Sequence, residues 1–134
     1  MTTKRVIKKC FATIDGNDMK PYFSEIVINA EIEEVEGTTL ESDFRDYDAG
    51  LEKNRMRGTI RHDEAMAAEG ILWPLRGTKV PVVVRFKDAA SSPTNPEYSG
   101  TLLVLGMPLG GGVGTVMESS VDWPICSTLT RTAA

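Results

Sequence analysis

The amino-acid sequence predicts a mainly β (α+β) fold, a β-sandwich with one flanking α-helix. Three observations lead there. Two stretches, 22–35 and 55–61, alternate apolar and polar residues with period two. Residues 80–87 are rich in β-branched side chains, which suit strands. The one segment with helical character, 63–75, lies between strand segments, without the repeated crossover helices that a parallel sheet requires.

In chain order, Lys8 to Ile14 is a short strand, and Asp15-Gly16-Asn17-Asp18 supplies the residues of a turn. Pro21 restarts the chain. From Tyr22 to Val35, Ile26, Ile28, Ala30 and Ile32 take every second place, and Glu25, Asn29, Glu31 and Glu33 take alternate ones. The expectation is one long strand with one buried face. Val27 interrupts its polar side, and the change of phase at Glu33-Glu34-Val35 fits a β-bulge. Thr38 to Lys53 has no clear period and reads as a long loop, yet Leu40, Phe44, Tyr47 and Leu51 sit among its acids and call for a surface to bury them.

Arg55 to Arg61 alternates again, with Met56, Gly58 and Ile60 on one side and Arg55, Arg57, Thr59 and Arg61 on the other. Asp63 is placed to cap a helix running to about Leu75, with acids early at the positive end of its dipole. Gly70 and Pro74 weaken its second half, and Gly77 stops it. Val80–Lys87, Tyr98–Leu105 and Val116–Ile125 read as strands, separated by the turn-forming residues Ser91–Pro96 and by the glycine cluster 110–114.

A chain of 134 residues forms a single domain over residues 1–134, with the loop 38–53 as its largest irregular segment. The net charge of −4 argues against a general nucleic-acid binder, which needs a clustered cationic surface. No apolar run approaches the ~20 residues of a membrane helix, and Met1 to Cys10 lacks the apolar stretch of a signal peptide, so the chain is expected to stay where it is made. Cys10 and Cys126 form no metal motif and are read as buried free thiols.

No residue pattern carries catalysis, a cofactor or a metal. His62, the only histidine, points with Ile60 toward the apolar side of its strand and reads as a histidine at the edge of the core, although Asp63 and Glu64 lie beside it. Gly110–Gly114 is followed by a strand, not by the lysine and helix of a phosphate loop. Glu33-Glu34 and Asp46 with Asp48 lack calcium-loop spacing. The charged stripes say more. If the two long strands are hairpin partners, Glu25, Glu31 and Glu33 meet Arg55, Arg57 and Arg61, in ion pairs worth about 0.2–1 kcal/mol each that fix register.

One ordered set of features is more specific. Asn95-Pro96-Glu97-Tyr98-Ser99-Gly100-Thr101-Leu102-Leu103-Val104 is followed by Pro108-Leu109-Gly110-Gly111-Gly112-Val113-Gly114 and then by Ser120-Val121-Asp122-Trp123-Pro124. Upstream lie the turn at 15–18, Asp46-Tyr47-Asp48-Ala49-Gly50-Leu51, Gly58-Thr59-Ile60 and Leu72-Trp73-Pro74-Leu75. In this order and spacing, over almost the whole chain, the sequence resembles the major tail tube proteins of long-tailed, siphovirus-type bacteriophages.

The resemblance implies a non-enzymatic virion protein whose inner sheets join those of its neighbours into a β-barrel within a hexameric ring. Rings stack into the tail tube through which DNA is ejected. The implied partners are other copies of the chain, the tape-measure protein, the tail terminator and the tail-tip proteins, with DNA passing unread. The implied setting is the phage tail, assembled in the host cytoplasm; the short form, without an added domain, favours the flexible type of tail. Under this resemblance Glu25, Asn29, Glu31, Glu33, Arg55, Arg57, Thr59 and Arg61 are candidates for the lumen. Leu40, Phe44, Tyr47 and Leu51 are candidates for ring stacking, and Gly110, Gly111, Gly112 and Gly114 for an inter-subunit turn. Two alternatives stand beside it: another ring-forming phage component, such as a distal tail or head-tail joining protein, and a monomeric ligand-binding β-domain with the glycine loop gating a pocket.

Overall fold

The computed structural model describes residues 4–40 and 43–133. The described residues form antiparallel strands: β1 (Phe11–Ile14), β2 (Asn17–Asp18), β3 (Phe23–Asn29), β4 (Ile32–Glu36), β5 (Tyr47–Glu52), β6 (Asn54–Arg61), β7 (Lys79–Arg85), β8 (Glu97–Leu103), β9 (Glu118–Ile125) and β10 (Thr130–Thr132). The main sheet runs β2-β1-β7-β8-β9-β6-β3, with β10 added to β8, and β4-β5 form a separate two-stranded ribbon.

β8 and β9 meet at one register pair, Leu102 with Ile125, so the main sheet behaves as two halves. One half, β1, β7 and β8 with the residues beside them, contributes Ala12, Ile14, Val80, Val82, Val84, Leu102 and Val104 to the core. The other, β6 and β9, contributes Met56, Ile60, Val121, Trp123 and Ile125 to the same cluster. This is a sandwich made by one sheet packed against itself. The sheet is open, with β2 at one end and β3 at the other.

Local chemistry explains the connections. Asp15 (φ 53°) and Gly16 (φ 76°) are the two positive-φ residues of a two-residue hairpin loop between the paired Ile14 and Asn17. The 87–95 turn is wrapped around Asn95, whose buried Nδ2 donates to the carbonyls of Lys87, Ala89 and Ala90. α1 (Ala67–Leu72) packs Ala68 and Leu72, four residues apart on one face, into the core and continues as a 3-10 turn, Trp73–Leu75. Asp63 Oδ1 accepts the Ala67 N–H at 3.0 Å and so bonds the first turn, although the N-cap position itself belongs to Met66, which makes no side-chain cap bond. The helix nevertheless starts later than expected, because Met66 adopts a left-handed conformation (φ 52°).

The long strand expected over Tyr22–Val35 is two strands, broken at Ala30-Glu31. Its alternation continues past the break, but β4 is exposed throughout because no layer covers it. The predicted loop over 38–53 contains a strand, β5, which pairs with β4 through a register shift at Ile32–Glu34, close to the predicted bulge. Cys126 is exposed, not buried: it follows inward-facing Ile125 and so turns outward, while Cys10 is half-buried and its thiol pKa is raised by burial.

Gly58 lies where β3 and β6 pack closest. A Cβ there would sit 2.7 Å from the Glu25 carbonyl oxygen and 2.9 Å from the Phe23 ring. Gly58→Ala is therefore expected to destabilise the domain by about 1–3 kcal/mol, read as a lower midpoint in chemical denaturation.

Candidate functional site

The outer face of β9-β6-β3 gathers most of the predicted charged residues. In register, Asn29 pairs with Arg55 and Arg55 with Pro124, Val27 with Arg57 and Arg57 with Asp122, Glu25 with Thr59 and Thr59 with Ser120, and Arg61 with Glu118. Paired residues of an antiparallel ladder point to the same side, so Glu25, Asn29, Arg55, Arg57, Thr59 and Arg61 share this face, opposite the core.

Two of the predicted carboxylates do not join them. Glu33 lies on the ribbon, and Glu31 lies at the joint, where its carbonyl accepts the Lys53 N–H at 2.7 Å and its N–H donates to Asn54 Oδ1 at 3.2 Å. The ion pairs also differ from expectation. Arg55 Nε binds Asp122 at 2.9 Å and Arg61 Nε binds Glu118 at 2.8 Å, so the arginines are paired by β9 and not by the glutamates of β3. Adjacent register brings β9 carboxylates directly opposite Arg57 and Arg61 and beside Arg55, a partnership set by a strand 57 to 67 residues away. The face then holds Arg55, Arg57 and Arg61 against Glu25, Glu118 and Asp122, a net charge of zero.

The second surface is the ribbon. β3 runs into β4 and β5 into β6, so the ribbon is the far end of one long hairpin whose near end belongs to the main sheet. Every residue of β4 is exposed, and every residue of β5 except half-buried Gly50. Of the predicted stacking residues, Phe44 is 73% exposed and Leu51 79%; Leu40 and Tyr47 are exposed as well, and Ile32 and Val35 join them. Gly50 is fixed by close packing, since a Cβ there would lie 2.8 Å from Val35 Cγ2.

The third is the connection between β8 and β9. Its base is pinned: Trp123 Nε1 donates to the Gly106 carbonyl at 2.8 Å, and buried Ser119 donates its hydroxyl to the Pro108 carbonyl. Because that proton is committed, His62 Nε2, 2.8 Å from Ser119 Oγ, is the donor of their hydrogen bond. Its Nδ1 is buried with no partner among the described residues. A serine–histidine pair at this distance invites comparison with a hydrolase. Ser119, however, is 0% exposed, its proton is held by a carbonyl, and no carboxylate orients the ring among the described residues. The pair fastens a loop. Beyond the fastening, Gly110, Gly111, Gly112 and Gly114 are exposed, with Gly110 (φ 132°) and Gly114 (φ 87°) in conformations that favour glycine, and Leu109, Val113 and Val116 are exposed around them.

No family model matches the chain, and no curated protein matches it in sequence. Its fold does match solved structures. A chain from the virion of a native gene transfer agent particle is similar over 97% of this chain and 100% of that one, at 17% identity and TM-score 0.74. A chain of the SPP1 tail tube is similar over 94% of this chain and 77% of that one, at 10% identity and TM-score 0.73. A chain from the tail of an empty gene transfer agent particle, solved with helical refinement and C6 symmetry, is similar over 84% of this chain and 83% of that one, at 18% identity and TM-score 0.65. The SPP1 Dit protein of the hub adsorption apparatus is similar over 90% of this chain but 50% of its own length, at 17% identity and TM-score 0.56. The chain shares its fold with these virion and tail chains.

Removing the Ser119 hydroxyl leaves His62 Nε2 and the Pro108 carbonyl without their partner. Ser119→Ala is expected to cost about 1–3 kcal/mol and to speed amide exchange across residues 105–117, measured by hydrogen–deuterium exchange. Unchanged exchange there would show that the loop is fastened elsewhere.

Proposed function

We propose that this chain is the repeating subunit of a phage-type tail tube, a structural virion protein whose copies form hexameric rings that stack into a conduit for DNA. The observation that carries the reading is the likeness of the fold, over 94% of the chain, to the SPP1 tail tube chain. The C6 symmetry of the gene transfer agent tail supports the hexamer.

The physical features fit the role. An open sheet whose end strand β3 has a free edge can continue into the sheet of a neighbour, which hides edges that would otherwise pair at random. The zero-charge face of β9-β6-β3 is the candidate lumen lining. Its paired arginines supply little net attraction for phosphate, so DNA can slide past without being held. The exposed ribbon, with Phe44, Tyr47 and Leu51, is the candidate stacking element, and the glycine connection a candidate contact between subunits. The inferred axial partners are the tape-measure, terminator and tip proteins, and the inferred setting is the tail, assembled in the host cytoplasm.

The likeness to SPP1 Dit favours one second reading, a ring-forming joint at the end of a tail. Electron microscopy of the concentrated protein separates them: the subunit of a tube forms tubes of uniform bore and unlimited length, a joint forms single rings, and a persistent monomer defeats both. In the same assay Phe44→Ala with Tyr47→Ala is expected to leave a folded subunit whose tube yield falls at least about tenfold, as for central aromatic anchors. Normal tubes would take the ribbon tip out of the stacking contact.

The lumen assignment has its own test. Glu25→Lys makes the face net +2 per copy and is expected to permit assembly while slowing DNA delivery, scored as the infectivity of particles carrying the variant. Full infectivity with normal tails would place Glu25 outside the lumen.

A further inference from the structure

The two ends of the molecule differ sharply in charge. Residues 31–53 hold nine acidic and two basic side chains, a net of −7, although the whole chain carries only −4. The remainder is therefore +3. Its densest cationic run is Lys4-Arg5-Val6-Ile7-Lys8-Lys9, which contains no acid and is exposed throughout.

This run borders a groove of about 780 Å³ between the N-terminal segment and β3. Ile7, Lys8 and Lys9 form one wall and Phe23 and Ile26 the other. Lys20 also lines it, but its ammonium is engaged at 3.1 Å by Asp88, whose hydrogen bond and charge raise the lysine pKa. Arg5 donates to the Thr94 carbonyl. Lys4, Lys8 and Lys9 have no ion-pair partner among the described residues.

Resting on the tube reading, we infer that the acidic ribbon of one copy seats on the lysine-bearing rim of this groove in a second copy. Both surfaces carry the same pairing of chemistries in opposite sign. The ribbon offers Ile32, Val35 and Leu51 among carboxylates, and the rim offers Val6 and Ile7 among ammonium groups. Apolar contact supplies attraction that salt does not screen, and opposite charge sets orientation and rejects wrong partners. The ribbon cannot reach the groove of its own chain while β3 and β4 run on as one hairpin arm, because the groove lies beside the near end of that arm. Ribbon and rim are different patches, so the contact is head-to-tail and repeats without closing on itself, as stacking requires.

A charge-swap cycle tests this on the full chain. Lys8→Glu with Lys9→Glu on the rim, and Glu33→Lys with Glu34→Lys on the ribbon, alter exposed side chains only, and circular dichroism checks that each variant folds. Each pair alone is expected to lower the tube yield, measured by sedimentation and electron microscopy, at least about tenfold, and all four together to restore it to within about twofold of the parent. Parent tubes with either pair assembling normally, or with no recovery on combining them, overturn the docking inference and leave the tube reading standing. A parent protein that forms no tubes, whether it stops at single rings or stays monomeric, overturns the tube reading and this inference with it.

Discussion

A sheet that is apolar on one side must cover that side, and among the described residues the large partner available is the rest of the same sheet. The Leu102–Ile125 contact is where the two halves join. Gly100 makes room there, since any Cβ at that position would meet Ile125 Cγ2 at 2.9 Å. Once Trp123, Met56 and Ile60 are committed inward against Val82 and Val84, period two turns their neighbours outward. The outer face of β9-β6-β3 is thus a by-product of core formation, and its register is as firmly fixed as the core itself.

Charge is distributed over that framework in two ways. On the sheet face, carboxylates and guanidiniums alternate across strands and cancel, in pairs exposed enough to add little stability. On the ribbon they do not cancel. Two antiparallel strands alone are marginally stable, and nine carboxylates within 23 residues add repulsion. The joint compensates locally: the Glu31–Lys53 backbone bond and the Asn54 side chain tie the ribbon to the edge of a packed core. A charged ribbon held in this way contributes little to the stability of its own domain, which accords with a surface shaped for a partner.

Much of this was legible in the sequence. β6, β7, β8 and β9 fall within about two residues of the predicted segments, since alternation marks β6, a β-branched run marks β7, and turn-forming residues bound β8 and β9. The Asp15-Gly16 turn and the bond from the first helical N–H to Asp63 were equally readable, since their chemistry is local. What escaped reading is what depends on distant partners. Ile32 continues the alternation of β3 although nothing covers it, so one strand was expected where two are found. β5 shows no alternation because it has no buried side to encode. Glu118 and Asp122 gave no sign of pairing with Arg61 and Arg55 until the β6–β9 register was known, and Ser119 gave none of its bond to His62.

The imbalance of charge between ribbon and body also gives the molecule a polarity. Two ribbons brought together repel, and so do two cationic rims, which leaves one arrangement in which successive copies all face the same way. A filament built by that rule has distinct ends: one displays acid and the other base. In such a filament a factor that starts it would differ in charge from a factor that stops it, and the direction of growth would be written into each subunit before any two had met.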